Sequence, residues 1–248
     1  MTTANDIIAE LHKMFPDKLS WDWDTTQGLI AGDTSKNIKK VVVSLEFRNN
    51  LPGRRADMLL LHHPPIFGPK REPTNPFYAV WGRKGEVVYA IHSRIDRAGF
   101  SNRAIAERLF GKSGCRVLKT LDDGTAIIAL KRRTPIKEVI RRIKSRLKLK
   151  KVNAIIKKQA IKKIGIHGGE AFQFHHISDA AKENIDLYLG GDMAHHLAER
   201  AHSLNVSFID IGHFSEQEGM RRLAEVLGKR FPDVRFEYVE QTPLWSTE

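Results

Sequence analysis

A single cysteine, Cys115, stands among the 248 residues. An intrachain disulfide framework is therefore excluded, and a reducing cytoplasm is the expected compartment. No apolar run approaches the ~20 residues that cross a bilayer, so no membrane association is expected. The opening stretch, MTTANDIIAELHKMF, lacks the charged-then-apolar layout of a signal peptide and reads as an amphipathic helix over 5–14. There is no short-period repeat, no low-complexity segment and no flexible linker. Acidic residues number 29 against 41 basic ones, which leaves a formal charge of +12.

Much of that charge lies in Lys131-Arg132-Arg133, Arg141 to Lys151, Lys157-Lys158 and Lys162-Lys163. Such a stripe attracts phosphate-rich partners. No aromatic residue is interleaved through it, which weakens any case for stacking on single strands. A solvated helix face with exposed strand positions is the simpler explanation.

What is present is an ordinary globular composition, 41% hydrophobic, long enough for one large or two modest domains. The most informative stretch is Leu59-Leu60-Leu61-His62-His63-Pro64-Pro65. An apolar run climbs to two histidines and is stopped by prolines, which cannot donate to a sheet ladder. It reads as a buried strand delivering two imidazoles to the rim of a sheet, where open α/β sheets place their chemistry. Neighbouring side chains of a strand diverge, so the pair suits two metals, one each, better than one.

A second strand, Glu86 to Ile91, ends at His92, with a loop carrying Asp96. Ser101 then caps a helix over about 102–109. Pro52-Gly53 marks a turn, and 74–83 is a helix or an irregular segment. Thr134-Pro135 reads as an N-cap with proline at the first helical position of a basic helix. Gly168-Gly169 reads as a tight strand-to-helix turn. Asp192 caps the helix bearing His195 and His196. A third strand, Val206 to Gly212, ends at His213, with Glu216 beyond it. Histidine and carboxylate are the ligand types of zinc, iron, manganese, cobalt or nickel sites. The strand spacing indicates an α/β fold.

Taken in order, GLIAGD at 28–33, LLLHHPPIFGP at 59–69, VYAIHSRID at 88–96, FSN at 100–102, GIHGGEAF at 165–172, DLYLGGDMAHHLAERA at 186–201 and IDIGHFSEQEG at 209–219 resemble the NGG-one-interacting-factor-three family, also known as the GTP cyclohydrolase I type 2 family. The resemblance implies two related α/β lobes with mixed sheets flanked by helices, and a dinuclear metal site in the cleft between them. The lobes would be 1–115 and 116–248, with the final segment packing back on the first. Carried over by position, the ligands of two divalent transition-metal ions would be His62, His63, Asp96, His213 and Glu216. His92 matches a histidine beside the site and is the candidate for proton transfer. His195 and His196 match a pair facing the cleft. A homohexameric ring is also implied.

One departure stands out. The family spaces its last ligands His-x-x-x-Glu, whereas Glu216 follows His213 by three and Gln217 takes the fourth place. Gly219 matches the glycine beyond the glutamate, so a one-residue deletion keeps Glu216 as the ligand. Glu218 is the alternative. The function expected is a dinuclear metal-dependent hydrolase, its metal-bridging hydroxide acting on a purine nucleotide of the GTP cyclohydrolase type. The alternative is a non-enzymatic metal-binding adaptor or a nucleic-acid-associated protein.

Overall fold

Met58 to Leu61 shows most directly how this sequence makes its fold. Four consecutive apolar residues, all buried, form a strand covered on both faces, the habit of parallel sheets. The structure, a computed structural model, describes residues 1–48, 56–67, 72–73, 86–170 and 174–243. The turn expected at Pro52-Gly53 and the segment expected over 74–83 lie outside these residues.

The chain opens with α1 (Ala4–Met14), β1 (Gly28–Ala31), β2 (Lys40–Ser44), β3 (Met58–Leu61), the short β4 (Ile66–Phe67) and β5 (Glu72–Pro73), β6 (Val87–Ala90) and α2 (His92–Arg97). It continues through α3 (Phe100–Phe110), β7 (Cys115–Thr120), β8 (Ala126–Pro135), α4 (Ile136–Arg146), β9 (Ala154–Ile155), β10 (Ala160–Glu170) and α5 (Phe174–Lys182). It closes with β11 (Leu187–Gly191), α6 (His195–Ser203), β12 (Ser207–Asp210), α7 (Gln217–Arg230) and β13 (Arg235–Tyr238). The α/β expectation holds, with two mixed sheets flanked by helices. Among the described residues, no helix is long and apolar enough to cross a membrane.

One compact unit comprises Met1–Ala98 with Met220–Glu248. Its sheet runs β1-β6-β3-β2-β13. Only β1 is antiparallel to its neighbour. Val42, Leu59, Leu61 and Val88 share one apolar cluster with Phe47 and Ala56. Their alternates Val41, Val43, Met58 and Leu60 are equally buried.

The other unit is Gly99–Gly219, with a sheet in the order β7-β8-β10-β11-β12-β9. Strands β10, β11 and β12 are parallel, and the rest join antiparallel. Adjacent residues serve opposite faces, as a strand period of two requires. Ile128, Leu189 and Ile209 pack with Ile105 and Leu109 of α3 and with Ile136, Val139 and Ile143 of α4. Ile127, Tyr188 and Phe208 pack with Ile177 of α5 and with Leu197 and Ala201 of α6. Each such buried side chain contributes about 1.5–3 kcal/mol of transfer free energy.

Three local expectations are corrected. Residues 92–97 are the helix α2, not a loop, so His92 and Asp96 stand four apart on one helical face. Helix α3 starts after Gly99, whose φ of +64° makes the turn, and Ser101 is buried inside the helix. Thr134 and Pro135 complete β8, and the Thr134 hydroxyl donates to Arg132 O at 3.0 Å instead of capping α4.

Candidate metal-binding residues

His62 and His63 continue the ladder of β3. His62 N donates to Ser44 O at 3.1 Å and His63 N to Leu45 O at 3.0 Å. His92 N donates to His62 O at 3.0 Å, so the end of β6 sets the third histidine beside the pair. The rings of His62 and His63 lie 4.5 Å apart, and His92 is 5.5 and 5.2 Å from them. One ring nitrogen from each falls within 4.8 Å of the others.

Each imidazole is held by a carboxylate. His62 Nε2 lies 3.1 Å from Asp96 Oδ1, His63 Nδ1 2.8 Å from Glu46 Oε1, and His92 Nδ1 2.8 Å from Asp24 Oδ2. Asp24 is buried and also accepts from Ser93 N at 3.2 Å. Burial alone would raise its carboxyl, but the His92 hydrogen bond and charge outweigh that and hold it below the usual range. An ionised carboxylate can only accept, so His92 carries its proton on Nδ1 and keeps Nε2 as the basic nitrogen.

In the other unit, His213 and Glu216 bound a single 3₁₀ turn after β12, entered through Gly212 at φ +76°. Residues i and i+3 of a 3₁₀ turn eclipse one another. The shortened His-x-x-Glu spacing therefore still presents both side chains on one side, with His213 Nε2 3.8 Å from Glu216 Oε2. His213 Nδ1 is held by Asp192 Oδ2 at 2.7 Å. Asp192 thus orients a histidine and does not cap α6, whose N-cap is Ala194. Close by, burial pushes the Asp210 carboxyl up.

Glu216 is buried, and glycines make its room. A Cβ on Gly169, at φ +66°, would sit 1.8 Å from Glu216 Oε1, and one on Gly168 3.1 Å from its Cγ. Both glycines lie within β10, not in a turn to the next helix. Glu218 Oε1 lies 3.8 Å from Arg108 Nε. His195 and His196 are exposed on α6, with His195 Nε2 3.4 Å from Glu199 Oε1.

The donor chemistry fits divalent transition metals. Imidazoles whose second nitrogen is fixed by a carboxylate are the usual form of metal-binding histidine. Sequence reasoning missed Asp24, Glu46 and Asp192, each far along the chain from the ring it holds and outside any His-carboxylate spacing.

Comparison with known proteins follows the same lines. The chain is 29% identical over 251 residues to a Clostridium perfringens protein named GTP cyclohydrolase 1 type 2 homolog, covering 94% of each. It is 23% identical to the Helicobacter pylori GTP cyclohydrolase 1 type 2, over 92% of each. A Staphylococcus aureus protein of known crystal structure shares the fold, with a TM-score of 0.85, 19% identity and coverage of 100% of this chain and 99% of that one. The family description Duf34/NIF3 (NGG1p interacting factor 3) matches residues 2–243. By that match across nearly its whole length, the chain belongs to the Duf34/NIF3 family.

Proposed function

We propose that this chain is a metal-dependent hydrolase with two divalent transition-metal ions, acting on a purine nucleotide in the manner of a GTP cyclohydrolase. The proposed ligands are His62, His63, Asp96, His213 and Glu216. The observation that carries the reading is the pairing of imidazoles with carboxylates: Glu46 on His63 at 2.8 Å and Asp192 on His213 at 2.7 Å. Such partners fix the tautomer, so His63 and His213 each offer Nε2. The relatives' name supports the substrate class.

When bound, such ions lower the pKa of a coordinated water and stabilise developing oxyanion charge. The chain's own part is proton handling and orientation. His92 Nε2 accepts and returns a proton, while Asp24 holds Nδ1–H and stabilises the imidazolium that forms. A hydroxyl, amide or water cannot replace Asp24 without losing that charge. The ring-shaped homohexamer of the resemblance is part of the same proposal, and sedimentation should give about six times the 28.2 kDa chain mass.

Anomalous diffraction from protein purified without chelator tests the assignment. Two peaks are expected on the five ligands. One peak there refutes the dinuclear reading. Chelation should abolish GTP ring opening and added metal restore it; metal-independent turnover refutes the hydrolase mechanism.

A further inference from the structure

A second group of metal-ligating side chains lies within Gly99–Gly219 and shares no residue with the ligands above. Asp123 stands in the turn between β7 and β8, His167 in β10 and His176 in the first turn of α5. All three are buried, at 8, 8 and 7% exposure. Asp123 Oδ2 lies 2.9 Å from His176 Nδ1 and 3.9 Å from His167 Nδ1, and the two ring nitrogens are 3.4 Å apart. The circle through three atoms with those separations has a radius of about 2.0 Å. That is the bond length of zinc to imidazole nitrogen and carboxylate oxygen, ~2.0–2.2 Å.

The carboxylate is fixed in advance. Asp123 Oδ1 accepts from Thr125 N at 2.8 Å and Oδ2 from the Thr125 hydroxyl at 2.9 Å. The turn is pinned by Asn102 Nδ2, which donates to Gly124 O at 2.9 Å. The Thr125 hydroxyl also lies 3.0 Å from His167 Nδ1. That hydroxyl has one proton to give and lies within reach of both Asp123 Oδ2 and His167 Nδ1, so Thr125 closes the cluster on its far side. Asp123 Oδ2 and the two Nδ1 atoms converge on one small space, which a cation can fill by taking a lone pair from each.

We infer that Asp123, His167 and His176 form a further metal site, binding a divalent transition-metal ion through Asp123 Oδ2, His167 Nδ1 and His176 Nδ1. Two histidines and one carboxylate suit zinc or iron(II) and leave positions for water. The slight exposure of all three residues gives a route of entry. Thr125 is a positioning residue that aims the carboxylate.

Zinc is the probe. Protein stripped by chelator, reloaded with zinc and freed of excess by gel filtration should give an anomalous peak ~2.0–2.3 Å from all three atoms. His176→Ala and Asp123→Asn should each lose this peak and about one zinc equivalent per chain, with peaks at His62 and His63 unchanged. A parent map without density at the cluster overturns the inference, whatever binds elsewhere. So does a peak that survives in both variants. The parent map decides alone if a variant does not fold. Because each peak is assigned by its residues, loss of the five-ligand reading and loss of this site are separate results.

Discussion

Position 169 has no space for a methyl group. Glycine is needed there twice over: φ is +66°, and a Cβ would overlap the Glu216 carboxylate at 1.8 Å. Gly169→Ala should therefore both strain the backbone, by about 1–3 kcal/mol, and push Glu216 away from His213. A lowered melting temperature together with loss of metal from His213 is the expected result; an alanine variant with parental stability and metal would contradict it. The same geometry separates two neighbouring carboxylates. Glu216→Gln should lose metal at His213, because a neutral amide cannot supply the charge. Glu218→Gln should keep it, since Glu218 lies toward Arg108. Difference maps at a metal absorption edge read both directly, and the reverse pattern would move the ligand to Glu218.

At the scale of elements, the strand ends were legible and their supports were not. Leu59 to Pro65 states its structure locally: a buried run, two imidazoles, two prolines. Asp24 and Glu46 carry no such local mark, because 68 and 17 residues separate them from their histidines. The His92–Asp96 spacing fits a helix as well as a loop, and the β-rich run before it obscured the helix. Gly168-Gly169 resembled turn chemistry; its cause, the packing of Glu216, lies on another element. The Asp123, His167 and His176 cluster is equally unreadable, its members being drawn from a turn, a strand and a helix.

Helix α1 shows a fully local case, and its pH response follows. Thr3 accepts from Asp6 N, and Asp6 accepts from Thr3 N at 2.8 Å and from its hydroxyl at 2.7 Å, a reciprocal cap. The Thr3 amide, then its hydroxyl, hold the Asp6 carboxyl below its usual range. A depressed carboxyl stabilises the fold above its unfolded pKa, ~3.9, and that contribution is lost as pH falls through the lower folded value. The gap in urea midpoint between parent and Asp6→Asn should thus be constant near neutrality and close in acid. Thr3→Ala should cost about 1 kcal/mol at neutral pH. A gap that widens in acid would show that the carboxylate is not the stabilising form.

For the molecule as a whole, the open matter is the net charge of +12 and its concentration along 131–163. Helix α4 buries Ile136, Val139 and Ile143 and places Lys144 and Arg146 in its last turn, where cations suit the helix dipole. Lys148 and Lys150 follow, both exposed. That is the pattern of a solvated face over an apolar stripe. Replacing Lys144, Arg146, Lys148 and Lys150 together by glutamine should leave metal content and any GTP ring opening at parental levels. The dipole contributions lost, about 0.3–1 kcal/mol per last-turn cation, are partly offset by relief of repulsion among like charges. Salt titration with duplex DNA distinguishes the alternative role. If the stripe contacts phosphates, the parent's log affinity should fall steeply with log salt, at about 0.9 per contact, and the quadruple variant should lose up to about four contacts' worth of that slope. An unchanged slope assigns these four charges to solvation, whereas a variant that keeps its metals but loses turnover of a small nucleotide assigns them to substrate capture.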